Sequence, residues 1–424
     1  MRSGEPGVVC TIRPMPSTSE GPAHQQPKGW FRRNAPVLQI LLSVLLIAVV
    51  VGVGVLWFQH RRSGSEASAQ KSSQSSVAPL PPPPPPVCGD DAALMNMPLE
   101  TKLAQLLMVG VTGAEDTRNV VARYHVGGIF IGSGTDKSML KDQSLLQQLR
   151  TATPLPVGVS VDEEGGRVDR LASLISPAPS ARSLVQTHMP LDQVREMAKQ
   201  RGLAMANLGI TVDFAPVADT SDQADDTVIG DRSFSNDPQV VREYALAYSQ
   251  GLRDANITPV FKHFPGHGHA SGDSHTGSVT TPPLEVLKQR DLIPYQTLLT
   301  EPKVAAMVGH MIVPNLTDDQ QQASLSKAAY DLLRSGDYGG QPFNGVVFTD
   351  DLSSMKAITD IYTVPQAVLK ALQAGADVAL WVTTDEVPAV LERLKAAVPN
   401  ELSMERVDAS LRRVAAMKGR GPQC

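Results

Sequence analysis

Lys262, His263, His267, His269, Asp273 and His275 fall on one stretch that also carries Pro265, Gly266, Gly268 and Gly272. An ammonium, imidazoles and a carboxylate gathered on a loop can hold a metal, move protons or bind a polar ligand. The glycines permit sharp turns, and the apolar residues just upstream, Ile257, Val260 and Phe261, read as a buried strand feeding the loop. A zinc site would draw on His263, His267, His269 and His275, but their spacing matches no common zinc pattern; no metal and no cofactor are expected. Proton transfer suits the composition better, because imidazole titrates near neutrality and a neighbouring carboxylate can fix its tautomer. Asp273 and His275 are two residues apart, so their side chains meet only if the loop is turned.

Such residues need a scaffold, and the sequence from residue 89 onward alternates short apolar runs with helical segments. The runs 106–111, 127–132, 156–162, 211–219, 258–264, 305–313, 345–350 and 378–381 read as eight strands. Between them, 238–255 places Val240, Val241, Tyr244, Ala245, Tyr248 and Leu252 on one helical stripe, and 364–374 and 387–398 do the same around Leu369, Leu372, Leu391 and Leu394. Eight strands alternating with helices predict a fold of the α/β class, a TIM-type (β/α)8 barrel over 89–424; an open doubly wound sheet is the alternative. Asp162, Asp219, Lys262 with His263, His310 and Asp350 then all stand at the C-terminal ends of strands. In a barrel those ends converge on the face where active sites lie.

The segments Lys262 to Gly268 with Asp273-Ser274-His275, Val161 to Arg170, Asp231-Arg232-Ser233-Phe234 and Phe348 to Leu352 together resemble glycoside hydrolase family 3, and in particular its single-domain β-N-acetylglucosaminidase branch. The four motifs occur in the family's order, and the likeness spans the chain from about Thr101 to Trp381. The resemblance implies a retaining exo-β-N-acetylglucosaminidase, with Asp350 as nucleophile and Asp273–His275 as the acid/base pair in place of a glutamate from a second domain. It assigns Asp162, Arg170, Arg232, Lys262 and His263 to binding the terminal sugar. Charge-assisted hydrogen bonds suit a neutral, hydroxyl-rich ligand because they reward correct geometry. Asp351 is expected to bond to backbone or cap the following helix, Arg167 and Asp169 to form ion pairs near their loop, and His267 to shape its turn. Two departures from the family pattern stand out: one serine more than usual in Asp350-Asp351-Leu352-Ser353-Ser354-Met355, and Ser235 where glycine is common.

Upstream of the barrel the composition changes sharply. Residues 1–35 carry five basic residues against two acidic, so the remainder of the chain carries −8 against an overall net charge of −5, which argues against nucleic acid as a partner. Residues 36–58 are almost wholly apolar and long enough to cross a hydrocarbon core of roughly 30 Å as a helix. An uncleaved single-pass anchor is favoured over a signal peptide cleaved near Ala67-Ser68-Ala69, because the apolar run is long and distant from that site. Flanking Lys28, Arg32 and Arg33 point to a cytoplasmic, disordered N-terminus and an extracytoplasmic catalytic body at the cell membrane. Residues 59–88, rich in Ser and Gln and ending in six prolines before Val87-Cys88, read as a flexible tether stiffened by polyproline II. Cys88 and Cys424 bracket the body and could pair as a disulfide or remain free thiols.

The expected partners are therefore a carbohydrate containing N-acetylglucosamine, from cell-wall fragments, and the membrane; the oligomeric state is open. Two other functions fit the same residues. A phosphorylase would use phosphate as acceptor, since His275 is neutral after giving up its proton and does not repel an anion as a carboxylate would. A surface glycan-binding protein would suit the anchor and tether, although sugar binding alone has no need of Asp350, Asp273 and His275.

Overall fold

The computed structural model describes residues 91–318 and 320–420. The basic segment 1–35, the anchor 36–58, the tether 59–88 and both Cys88 and Cys424 lie outside these residues. Among the described residues no helix is long and apolar enough to cross a membrane.

Eight strands form one parallel sheet: β1 (Leu107–Gly110), β2 (Gly128–Ile131), β3 (Gly158–Val161), β4 (Val212–Asp213), β5 (Thr258–Phe264), β6 (Ala305–Val308), β7 (Val347–Thr349) and β8 (Ala379–Trp381). Their spatial order is β7-β6-β5-β4-β3-β2-β1-β8, with β1 paired to both β2 and β8. A parallel bridge between Phe348 and Val378 brings β7 beside β8 and nearly closes the barrel. The expected (β/α) alternation is observed. Helices α1 (Ala114–Tyr124), α2 (Gln143–Thr151), α3 (Leu191–Asn207), α4 (Pro238–Asp254), α5 (Ile293–Leu298), α6 (Lys327–Ser335), α7 (Val364–Ala374) and α8 (Val387–Ala397) each follow the strand of the same number, and α9 (Met404–Met417) ends the fold.

Local chemistry explains where helices begin. Asp237 accepts the Gln239 N–H at 2.8 Å and Pro238 opens α4, while Thr363 and Gln366 form a capping box at α7. In α4 the buried stripe is Val241, Ala245, Tyr248 and Leu252, as the 3.6-residue period requires. The barrel interior is filled by rings rather than open: Phe214 packs edge-on against Phe348 at 5.3 Å and tilted against Phe130 at 5.8 Å.

Two strands stop far short of their apolar runs. Run 211–219 pairs only at Val212–Asp213 and again at a Val217–Lys262 bridge, because Pro216 has no N–H to give the ladder. Run 305–313 breaks after Val308: Gly309 donates to Phe264 O (3.0 Å), and Met311–Ile312 pairs instead with Val279–Thr280. That break turns His310 off the strand end and into the protein.

Closure of the seam rests on Asp377, which is fully buried. Its Oδ2 accepts the Val347 N–H at 3.0 Å and Arg334 Nη2 at 2.5 Å, and its Oδ1 accepts Ser410 Oγ–H at 2.8 Å with Arg413 Nη1 at 3.2 Å. One carboxylate thus ties β7 to α6 and α9. Asp377→Ala leaves those guanidinium groups without their shared anion and should cost about 3–5 kcal/mol, the typical penalty for breaking a buried pair; a lowered urea midpoint at unchanged slope is the expected reading.

Candidate active site

The strand ends bring charge together in a water-poor place. Lys262, buried on β5, donates through Nζ to Asp162 Oδ1 and to Glu164 Oε1, both at 2.6 Å. Arg232 then grips Glu164 with two parallel bonds, Nε to Oε2 at 2.7 Å and Nη2 to Oε1 at 2.8 Å. Burial penalises each of these charges, but the opposite charges outweigh it: Glu164 is held well below the usual carboxylate range by Arg232 and Lys262, while Lys262 is raised by Asp162 and Glu164. Asp162 and Glu164 share a face because the backbone beyond β3 stays extended and alternate side chains point the same way.

A second hub is the buried Asp219. Its Oδ2 accepts His263 Nδ1–H at 2.7 Å, and its Oδ1 accepts the His267 backbone N–H, also at 2.7 Å. Burial would raise this carboxyl, yet the His263 contact and the backbone bond hold it below its ordinary value. Engaging Nδ1 leaves His263 Nε2 free. The turn beyond is compact: a Cβ on Gly268 would stand 1.8 Å from Thr220 O, so no side chain fits there.

Asp350 follows β7 and is 8 % exposed. Burial alone would favour its neutral acid. His263, His310 and Lys262 nearby, with the Asp351 N–H donating to Oδ1 at 2.9 Å, reverse this and bring it to about 2, so the carboxylate is ionised at neutral pH. Burial lowers His310 from its ordinary value, and its ring is held between Ser324 Oγ at 2.6 Å and Asp351 O at 2.7 Å.

Asp273 and His275 do meet. Asp273 Oδ1 accepts both the His275 N–H at 2.9 Å and His275 Nδ1–H at 2.7 Å, an Asx-type turn that supplies the bend a two-residue spacing demands. The pair is solvent-exposed, with side chains 39 % and 51 % accessible, in contrast to the buried Asp350.

Behind the hairpin that carries Asp162 and Glu164 lies a further layer. Glu163, pointing opposite to its neighbours, pairs with Arg201, which also lies 2.9 Å from Asp169; Asp213 accepts the Glu163 N–H at 3.0 Å. Burial, with Asp169 beside it, pushes Glu163 up to about 8, so it holds a proton at neutral pH.

The sequence-predicted residues thus divide. Lys262, Asp162 and Arg232 form one network through Glu164, with His263 joined to Asp219; Arg170 has a buried Nε with no protein partner among the described residues. Arg167 lies 2.9 Å from Asp231 and Asp169 pairs with Arg201, as expected for ion-pair residues. Asp351 binds the turn that follows it: Oδ1 accepts the Ser353 N–H and hydroxyl, both at 2.9 Å, and Oδ2 accepts Ser354, so the extra serine is absorbed into that turn. His267 is buried and lowered to about 4 by burial and by His263. Ser235 accepts the Asp237 N–H at 3.0 Å just before α4. Glu164, Asp219 and His310 contribute to the site although the motifs alone do not assign them to it. Asp219 and His310 carry a signal in their strand-end positions, and Glu164 in its even spacing from Asp162.

Residues 98–417 match the glycosyl hydrolase family 3 N-terminal domain. The chain belongs to glycosyl hydrolase family 3. It is a glycoside hydrolase, grouped by sequence with the β-hexosaminidases. It is 60 % identical over 326 residues to the beta-hexosaminidase LpqI of Mycobacterium tuberculosis, covering 76 % of this chain and 83 % of that protein. A family 3 glycosyl hydrolase structure from Mycobacterium smegmatis superposes with a TM-score of 0.75 at 63 % identity, over 76 % of this chain and 98 % of the other. A family 3 β-N-acetylglucosaminidase from Paenibacillus gives 0.70 at 31 % identity, over 76 % and 62 %.

Within this family 3 site the buried proton on Glu163 has a measurable consequence. Between its unfolded value of ~4.3 and about 8 the folded chain keeps a proton that the unfolded chain releases, so this group lowers stability as pH rises through that window. Glu163→Gln, which cannot ionise, should flatten the decline, read from urea midpoints at pH 5 and pH 8.

Proposed function

We propose that this protein is a retaining exo-β-N-acetylglucosaminidase acting on terminal N-acetyl-β-glucosaminyl bonds in cell-wall-derived fragments, held outside the cytoplasm by the 36–58 anchor and the 59–88 tether. The observation that carries the reading is the contrast between two groups: Asp350, buried and ionised among cations and imidazoles, and the exposed His275–Asp273 pair on the loop after β5. Relatives named β-hexosaminidases support the reaction class, and the sequence signals for export support the substrate source.

The chemistry follows from these environments. A carboxylate attacks a saturated carbon only in its ionised form, and Asp350 is ionised at any working pH. Its oxygen bonds to the anomeric carbon as the glycosidic C–O bond breaks, and the leaving oxygen takes a proton from His275 Nε2. Asp273, accepting at Nδ1, fixes the ring so that Nε2 carries the mobile proton and offsets the charge of the imidazolium. In the second half, neutral His275 removes a proton from water as that water displaces Asp350, giving net retention. Asp162, Arg170, Arg232, Lys262 and His263 hold the sugar; Asp162 and Lys262 already lie in a fixed ion pair, so little ordering is needed on binding.

Asp350→Asn should lower kcat on an aryl N-acetyl-β-glucosaminide by on the order of 10³ or more, and a fluorinated glycoside that slows breakdown of the adduct should label the Asp350 peptide in the wild type. Turnover unchanged by the substitution would refute the assignment. Aryl glucosides run alongside test the acetamido requirement, and added phosphate tests the acceptor: sugar 1-phosphate would replace hydrolysis with phosphorolysis.

A further inference from the structure

Ser274 stands between the two members of the proposed acid/base pair, yet it faces the other way. It is 2 % exposed, while its neighbours Asp273 and His275 reach solvent. The loop that carries all three is fastened at its neck: the Ser271 N–H donates to Thr280 O at 2.8 Å, the Thr280 N–H to Ser271 Oγ at 3.0 Å, and Val279–Thr280 pairs with Met311–Ile312. Between 272 and 278, the hydrogen bonds that leave the loop among the described residues all run through Ser274. Its carbonyl accepts the Ala357 N–H at 3.1 Å. Its hydroxyl lies 3.4 Å from His267 Nε2 and 3.6 Å from Met355 Sδ.

The partners are as informative as the contacts. Met355 and Ala357 continue the chain that leaves Asp350 through the Asp351 turn, and the Ala357 N–H belongs to the first turn of the short helix Lys356–Thr359, where a donor has no partner within the helix. His267 is tied by its own N–H to Asp219. One serine therefore connects the proton-carrying loop both to the segment that follows the nucleophile and to the hub that holds His263.

We propose that Ser274 is a positioning residue of the glycosidase reaction, pinning the middle of the loop to His267 and to the turn after Asp350 so that His275 delivers its proton at a set place relative to the nucleophile. This rests on the reading of Asp273–His275 as the acid/base pair. The step concerned is the one in which the glycosidic C–O bond breaks, Asp350 bonds to the anomeric carbon and the proton passes from His275 to the departing oxygen. A displaced donor slows departure of an oxygen that needs the proton and spares one that leaves as a stable anion.

The test is kcat/KM of the full-length Ser274→Ala protein on N-acetyl-β-glucosaminides whose leaving groups run from dinitrophenol to phenol and a simple alcohol. The loss should reach about 10-fold or more with phenol and alcohol and stay within about 2-fold with dinitrophenol. Ser274→Cys, which keeps the side chain's size and a weak donor, should fall between and carries the test if the alanine protein does not fold. His275→Ala is the reference and should show the same dependence more steeply. Equal loss with every leaving group, or no loss, overturns the role of Ser274 while leaving the pair intact. A His275→Ala protein without leaving-group dependence removes the reading of the pair, and this proposal with it.

Discussion

Four charges gathered where water is scarce set the terms for the whole active face. Lys262 and Arg232 face Asp162 and Glu164 across contacts of 2.6–2.8 Å. Removing such groups from water costs several kcal/mol per ion, which only short, well-directed contacts to opposite charge can offset. The geometry is therefore narrowly determined. The hairpin after β3, the end of β5 and the segment around Arg232 must keep their spacing, since any separation would strand a buried charge. The donors and acceptors on this face are thus already arranged.

The same cluster reaches Asp350. Lys262 and His263 are consecutive residues, one in the ion network and the other bonded to Asp219, and both lower Asp350 against the effect of its burial. The Asp273–His275 pair lies outside this buried region, with both side chains reaching solvent. An imidazole buried beside His263 is driven to about 4, as His267 shows, and such a group would not carry a proton at neutral pH. His275 stands instead on an exposed loop, bonded to its own carboxylate. The fold thus separates a buried, ionised carboxylate at Asp350 from a solvent-exposed imidazole at His275.

Beneath the cluster, Glu163, Asp169, Arg201 and Asp213 hold the hairpin from behind. Alternation along an extended segment makes this economical, because Asp162 and Glu164 point to Lys262 and Arg232 while Glu163 points the other way, to Arg201. At the seam, Asp377 plays a comparable part for β7, whose end carries Asp350. Charged groups in this protein thus help to align one strand end with another.

Much of this arrangement is legible in the order of residues along the chain. Eight apolar runs, helical stripes such as Val241 to Leu252, and polar residues at successive run ends suffice for a barrel with its site on one face, because periodicity and strand-end position are local properties of the chain. The family motifs single out Asp350, His275, Asp273, Asp162, Arg170, Arg232, Lys262 and His263. Three kinds of information are absent from local pattern. Pairing limits are one: Pro216 and the break after Val308 shorten strands whose apolar runs continue, since a ladder depends on donors in the neighbouring strand. Partner choice is another, for Glu164 and Asp219 become hubs only when Arg232, Lys262 and His263 arrive from distant segments. The last is the state of charge. The sequence by itself determined the alternation of strands and helices and which polar residues stand near the strand ends. Tertiary structure decided that Asp350 is ionised, that Glu163 is protonated and that Asp273 meets His275, because burial and short contacts across the chain govern a proton's affinity and a loop's bend, and neither is encoded in spacing alone.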